Sequence, residues 1–121
     1  SDDHRRSLLA GSRETNTRTS LALCDALLAP TPGALTWRIN ANALSGVYAV
    51  SDEAVRAAVA FAFSSLKVVV EPSGAIALAA VLSRAHAARG RVVGVILSGG
   101  NVDGETFADC VARGPDSNGK A

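Results

Sequence analysis

The chain is 121 residues long, 48% hydrophobic and 19% charged, with a formal net charge of +1. That is one domain's worth of residues, enough to bury a core and too apolar for a disordered chain. The near-neutral charge leaves no electrostatic footprint for nucleic acid, and no apolar run reaches the roughly 18 residues a membrane span needs.

Residues 1–20 form a polar, Arg-rich segment in which a helix is expected over Asp2–Ala10. From Ser12 to Ser20 there is no apolar residue, which predicts a surface loop. Residues 21–113 alternate apolar segments with breakers and form the expected core, while 114–121 read as a flexible tail of one single domain. A second helix is expected over Leu35–Leu44, begun by Pro32-Gly33. Gly46–Val50 is a short β-branched run, giving a strand at about 47–50. Ser51-Asp52-Glu53 then reads as a helix start, with a serine N-cap and two carboxylates facing the positive end of the macrodipole. Val55, Ala58, Val59, Ala62 and Leu66 fall at helical spacing, so that helix runs to about Leu66.

Lys67-Val68-Val69-Val70 is an expected strand, and Pro72 suits the first turn of the next helix. Ala75–Leu82 is apolar on all sides and should be buried. Gly90 stops that helix, and Val92–Leu97 reads as a parallel strand covered on both faces. Asp103–Val111 closes the pattern as a short amphipathic helix. Strands alternating with helices make the fold class α/β, a partial parallel sheet flanked by helices. Cys24 and Cys110 are too few for a disulfide framework, so a reducing, cytoplasmic setting is expected, and no signal peptide is evident. Methionine is absent, so either the initiator has been removed or the chain begins within a longer one.

Two places look like sites. Ser98-Gly99-Gly100-Asn101 sits where a strand should end and a helix begin, the position at which open α/β sheets bind ligands. Its glycines admit close backbone approach, and Ser98 offers a hydroxyl; the alternative is a tight turn that needs positive φ. Glu71, ahead of Pro72-Ser73-Gly74, would lie on the same edge; its alternative is a plain N-cap.

Together, Lys67–Ala75 and Val95–Asp103 closely resemble the C-terminal part of the threonine/serine dehydratase family, which includes serine racemase. These are pyridoxal-phosphate enzymes of fold type II, and Val50–Val55 matches the usual lead into this region. The resemblance implies a truncated large domain of that fold. It also implies that Ser98 hydrogen-bonds the cofactor's pyridine nitrogen, that Glu71 lines the ring, and that Gly99, Gly100 and Asn101 shape the pocket wall. Cys24-Asp25-Ala26 matches a segment that usually reads Ala-Asp-Gly, so Ala26 brings a methyl group close to the ring. Ser1-Asp2-Asp3 resembles the family's loop for a divalent metal, with Asp3 and a backbone carbonyl as ligands.

The family's Schiff-base lysine, its substrate loop and its glycine-rich phosphate cradle have no counterpart here; the only lysines are Lys67 and Lys120. The resemblance therefore implies a C-terminal dehydratase segment that does not run the ammonia-lyase reaction alone. One alternative is a metal-assisted hydrolase of esters or phosphoesters, drawing on Asp2, Asp3, His4, Cys24, Asp25, His86 or Cys110. Others are an interaction module and an inert remnant. The apolar runs 75–82 and 92–97 further predict a homo-oligomer, since a monomer would expose a large patch.

Overall fold

The computed structural model describes residues 2–17, 23–83 and 89–114. Ser1, His86, Lys120 and nearly all of the tail from 114 to 121 lie outside the described residues, as does part of the polar stretch before residue 23. The chain divides into two compact units, Ser1–Ala49 and Val50–Ala121.

In the first unit, α1 (Asp3–Ala10) ends at Gly11, whose φ of 69° lies in the left-handed region that stops helices. The polar loop that follows is anchored. The Glu14 N–H donates to the buried Ser7 hydroxyl at 2.8 Å, and the Arg6 guanidinium donates to the Asn16 side chain. The Asn16 N–H and the Arg13 Nε donate to the Pro30 and Pro32 carbonyls, both at 2.7 Å. A 3₁₀ turn covers Asp25–Leu27, and α2 (Ala34–Ala43) starts after Gly33. His4 meets Trp37 edge-on at 5.9 Å, joining α1 to α2. Both helices lie within one residue of the positions the sequence predicts.

In the second unit, α3 (Asp52–Phe61) begins as expected, with the Ser51 hydroxyl accepting from the Ala54 N–H at 3.3 Å. The Glu53 carboxyl is held below its ordinary range by its own backbone N–H and by the Ser51 hydroxyl. Val55, Ala58, Val59 and Ala62 are buried, so the stripe at helical spacing faces the core as far as Ala62, while Leu66 at its end is exposed. Against α3 pack α4 (Pro72–Leu82) and α5 (Gly104–Arg113), contributing buried Ala75, Leu78, Ala79 and Cys110. Their small side chains suit close helix approach. Arg56 of α3 reaches Asp109 of α5 at 3.2 Å, and Arg113 shares that carboxylate at 2.5 Å. Phe63 and Phe107 meet edge-to-face at 5.3 Å.

Several expectations are corrected. The α3 helix does not continue regularly to Leu66: Ala62–Leu66 widens into a π turn. It ends at Lys67, whose φ of 60° is left-handed, so Lys67 is a helix terminus and not the start of a strand. The N–H groups of Lys67 and Val68 both return to the Ala62 carbonyl, which turns the chain there.

Among the described residues no strand forms, so the partial parallel sheet is not confirmed there. A strand exists through its ladder, and the segments around 69–71 and 98–100 share one backbone bond, from the Glu71 N–H to the Gly99 carbonyl at 3.2 Å. Val92–Leu97 is not covered on both faces either: Val92 is 104% exposed and Ile96 79%. Finally, α4 is buried along one side only, with Ala77 and Leu82 exposed.

Candidate functional site

Glu71 and the Ser98–Asn101 turn come together, and glycines are what allow it. Glu71 stands at the N-cap of α4 in an extended conformation, with Pro72 opening the helix. Its side chain makes no capping hydrogen bond. It lies instead over the bare backbone of Gly99, where a Cβ would fall on the Glu71 carboxylate. Gly99 has a φ of +95°, so both space and backbone conformation call for glycine.

Gly100 packs as closely: a Cβ there would sit 3.0 Å from the Val69 carbonyl oxygen. From the other side, Gly74 in the first turn of α4 rests directly on the Ser98 carbonyl. The Val102 N–H closes the turn onto the Gly100 carbonyl at 3.0 Å. Asp103 then caps α5, accepting from the Thr106 N–H at 2.8 Å. That bond, with one from the Thr106 hydroxyl, holds the Asp103 carboxyl below its ordinary range.

The result is a half-buried carboxylate beside an exposed hydroxyl, Ser98, and an exposed amide, Asn101. The alternative reading of Glu71 as a plain cap does not describe this geometry, because its side chain engages the turn and leaves the helix N–H groups. Gly74 carries no role in the sequence reading, yet it decides how near α4 can come to Ser98. A glycine two residues after a helix-opening proline was the available signal.

The other candidates lie elsewhere. Ala26 is exposed in the 3₁₀ turn of the first unit, its N–H bonded to the Asp25 carboxylate at 2.8 Å, and Cys24 beside it is buried. Asp2 pairs with Arg6 at 3.0 Å, and Asp3 is buried in the first turn of α1. The His4 Nε2 lies 3.3 Å from the Asn40 amide nitrogen. Cys110 is buried against α3, and burial pushes its thiol up from the ordinary value. Among the described residues, no three His, Cys, Asp or Glu side chains group so as to hold a metal ion. The metal-assisted hydrolase thus has no such ligand group among the described residues, while the divalent-metal loop draws on a backbone carbonyl and begins at Ser1, outside them. Nor is any helix among them long and apolar enough to cross a membrane.

Residues 1–99 match the family described as pyridoxal-phosphate dependent enzyme. The chain belongs to that family. The match takes in Glu71 and Gly74 and ends on Ser98 and Gly99, the two residues that meet them. Among curated relatives, a beta-hydroxyaspartate dehydratase of Paracoccus denitrificans is 41% identical over 67% of this chain and 25% of its own length. The serine racemase of Dictyostelium discoideum is 36% identical over 84% of this chain and 32% of its own.

The chain thus spans about a quarter to a third of the curated relatives it matches. Among solved structures, a threonine deaminase from T.th. superposes with a TM-score of 0.78 at 38% identity, over 84% of this chain and 36% of that one. Maize serine racemase gives 0.77 at 36% identity, over 93% of this chain and 36% of that one. The backbone is therefore that of a pyridoxal-phosphate enzyme over part of its length.

Proposed function

We propose that these residues are the carboxyl-terminal portion of an enzyme acting on small hydroxy amino acids, an ammonia-lyase or racemase, and that they supply the wall of the cofactor site facing the pyridine ring. The observation that carries this reading is the seating of the Ser98–Asn101 turn on Glu71 and the first turn of α4. The groups present suit pyridoxal phosphate. Ser98 gives an exposed hydroxyl, Asn101 a neutral amide, and Gly99 and Gly100 a side-chain-free surface against which a flat ring can lie. When bound, the cofactor supplies the electron sink for chemistry at the amino-bearing carbon of the substrate.

This chain's residues hold and tune. The Ser98 hydroxyl would donate to the ring nitrogen of the cofactor and keep its own proton, since a hydroxyl is far too weak an acid to transfer it. Glu71, seated over Gly99, would line the edge of the ring, and Asn101 would border the same wall. Ala26 adds a methyl group to a stretch where the family usually has glycine. The covalent attachment and the phosphate cradle come from the part of the family fold that these residues do not span. Lys67 does not replace the former: its ammonium donates to the Ser64 carbonyl at 2.7 Å, at the end of the π turn.

The test is keto-acid release from L-threonine and L-serine. The chain alone, given pyridoxal phosphate, should release none; turnover by the chain alone would refute the assignment of the lysine to another segment. Assembled with the remaining family portion, it should bind the cofactor. Ser98→Ala should then shift the cofactor's visible absorption and its pH dependence, whereas an unchanged spectrum and profile would remove Ser98 from the site.

A further inference from the structure

Asp103-Gly104 is the one place in the sequence where an aspartate is followed directly by glycine. The pair can react with itself, because glycine has no Cβ to hinder its amide nitrogen from reaching the side chain before it. Both residues are exposed at the entry to α5, and no other part of the chain comes near the Cβ position of Gly104. As the first residue of the helix, Gly104 has an N–H with no acceptor inside it. The attacking group is therefore open to water and uncommitted to the helix ladder.

The fold restrains the reaction through the cap. Ring closure needs the Asp103 Cβ and the Gly104 nitrogen to eclipse about the Cα–C bond. With φ at −71° and ψ at 155° they stand well apart. The carboxylate is also drawn forward onto the Thr106 N–H at 2.8 Å, away from the nitrogen that would attack it. Cyclisation uses the neutral acid, and the capping bonds favour the ionised one.

We propose that Asp103-Gly104 is a self-modification site, at which the Gly104 nitrogen closes a succinimide on the Asp103 side chain when the α5 cap opens, and water reopens it to isoaspartate. In the first step a bond forms between the Gly104 nitrogen and the Asp103 Cγ. The side-chain hydroxyl leaves as water with the amide proton. In the second step water adds to the former main-chain carbonyl and its bond to nitrogen breaks. The chain then runs through Cγ, lengthened by a methylene, and the old carbonyl is a free carboxylate. Mass is unchanged, and water is the only co-reactant.

The consequence is local and structural. The Asp103 carbonyl that accepts from the Phe107 N–H at 3.0 Å and the carboxylate that caps Thr106 both change their places. The added methylene enters between the Ser98–Asn101 turn, closed by the Val102 N–H on Gly100, and the helix whose Phe107 meets Phe63. Asp103 lies beyond the matched residues 1–99, and the inference stands without the cofactor-wall reading.

In the experiment the 121-residue chain is held at neutral pH and body temperature, folded or in denaturing urea, beside a synthetic peptide of residues 98–109. Digests are sequenced by electron-transfer mass spectrometry, which separates isoaspartate from aspartate at equal mass. Isoaspartate should accumulate at 103 in the folded chain and not at Asp25, Asp52 or Asp109. It should form there about fivefold more slowly than in urea or in the peptide, the ratio that one capping bond sustains. Gly104→Ala, at a position with open space, should keep the helicity and suppress the product severalfold in every state. In the modified fraction, amide protection at Thr106 and Phe107 should fall. The proposal is overturned by no isoaspartate at 103 in the folded chain or by equal rates folded and in urea. An undiminished rate in Gly104→Ala, or full protection at Thr106 and Phe107 after modification, overturns it as well.

Discussion

Gly74→Ala puts the close approach of α4 to the Ser98 turn to a test of sign. In the first turn of an unobstructed helix, alanine is better than glycine by about 0.5–1 kcal/mol, because glycine has more conformational freedom to lose. At Gly74 the added Cβ would meet the Ser98 carbonyl oxygen head-on, with the Ser98 carbonyl carbon at 3.0 Å and the Gly99 oxygen at 3.1 Å. All three are backbone atoms. They are held by the Glu71 N–H bond to Gly99, so no flexible side chain can swing aside. Overpacking of this kind costs about 1–3 kcal/mol, which exceeds the propensity gain.

The net expectation is a loss of about 1 kcal/mol. Gly104→Ala is the internal control: it opens α5, has no neighbour within 4 Å and no positive φ. It should gain up to about 1 kcal/mol through the unfolded state. Urea unfolding of the two variants, followed by helical circular dichroism, should place them on opposite sides of the parent. If Gly74→Ala stabilises as much as Gly104→Ala, α4 does not rest on Ser98 and the site geometry is wrong.

Gly99→Ala should cost about 1–3 kcal/mol from its backbone conformation, and more while Glu71 occupies the space. Adding Glu71→Ala should recover part of that loss, and a double-mutant cycle with coupling below about 0.3 kcal/mol would deny their contact. Val59→Ala, which empties a fully buried position on α3, should lower unfolding stability by about 2 kcal/mol, whereas Val92→Ala at an exposed position should barely register. The depressed Asp103 carboxyl sets a pH dependence: its stabilisation is complete above the ordinary aspartate value and is lost as pH falls through the lower folded-state value. Asp103→Asn, which still caps, should therefore blunt the acid-side loss of helicity, and an unaltered acid profile would place that loss elsewhere.

The helices were legible because each carries its own local signals. Ser51 before two carboxylates, Pro72 at a first turn and Asp103 ahead of an amphipathic stretch are satisfied within one turn of chain, so they act wherever the rest of the fold stands. The sheet was not legible in the same way. Val68–Val70 and Val92–Leu97 have the composition of strands, but a ladder needs partners, and one bond between Glu71 and Gly99 is all that joins these two regions among the described residues. Lys67 misled for a different reason. A lysine beside three valines looks like the edge of a strand, whereas its left-handed conformation is imposed by the π turn before it, for which the sequence has no marker.

The same division explains the candidate site. Glu71 and Ser98 could be singled out from sequence because they are polar residues at the ends of apolar runs, and a motif pair ties them to one family. What holds them together is carried by residues with no side chain to read: Gly74 sets how close α4 comes, and Gly99 makes room for the carboxylate. Such glycines look the same in sequence as Gly94 and Gly104, which have open space where a Cβ would go. Tertiary approach alone separates the two kinds. For that reason the paired alanine substitutions at 74 and 104, identical in chemistry, are expected to act with opposite sign.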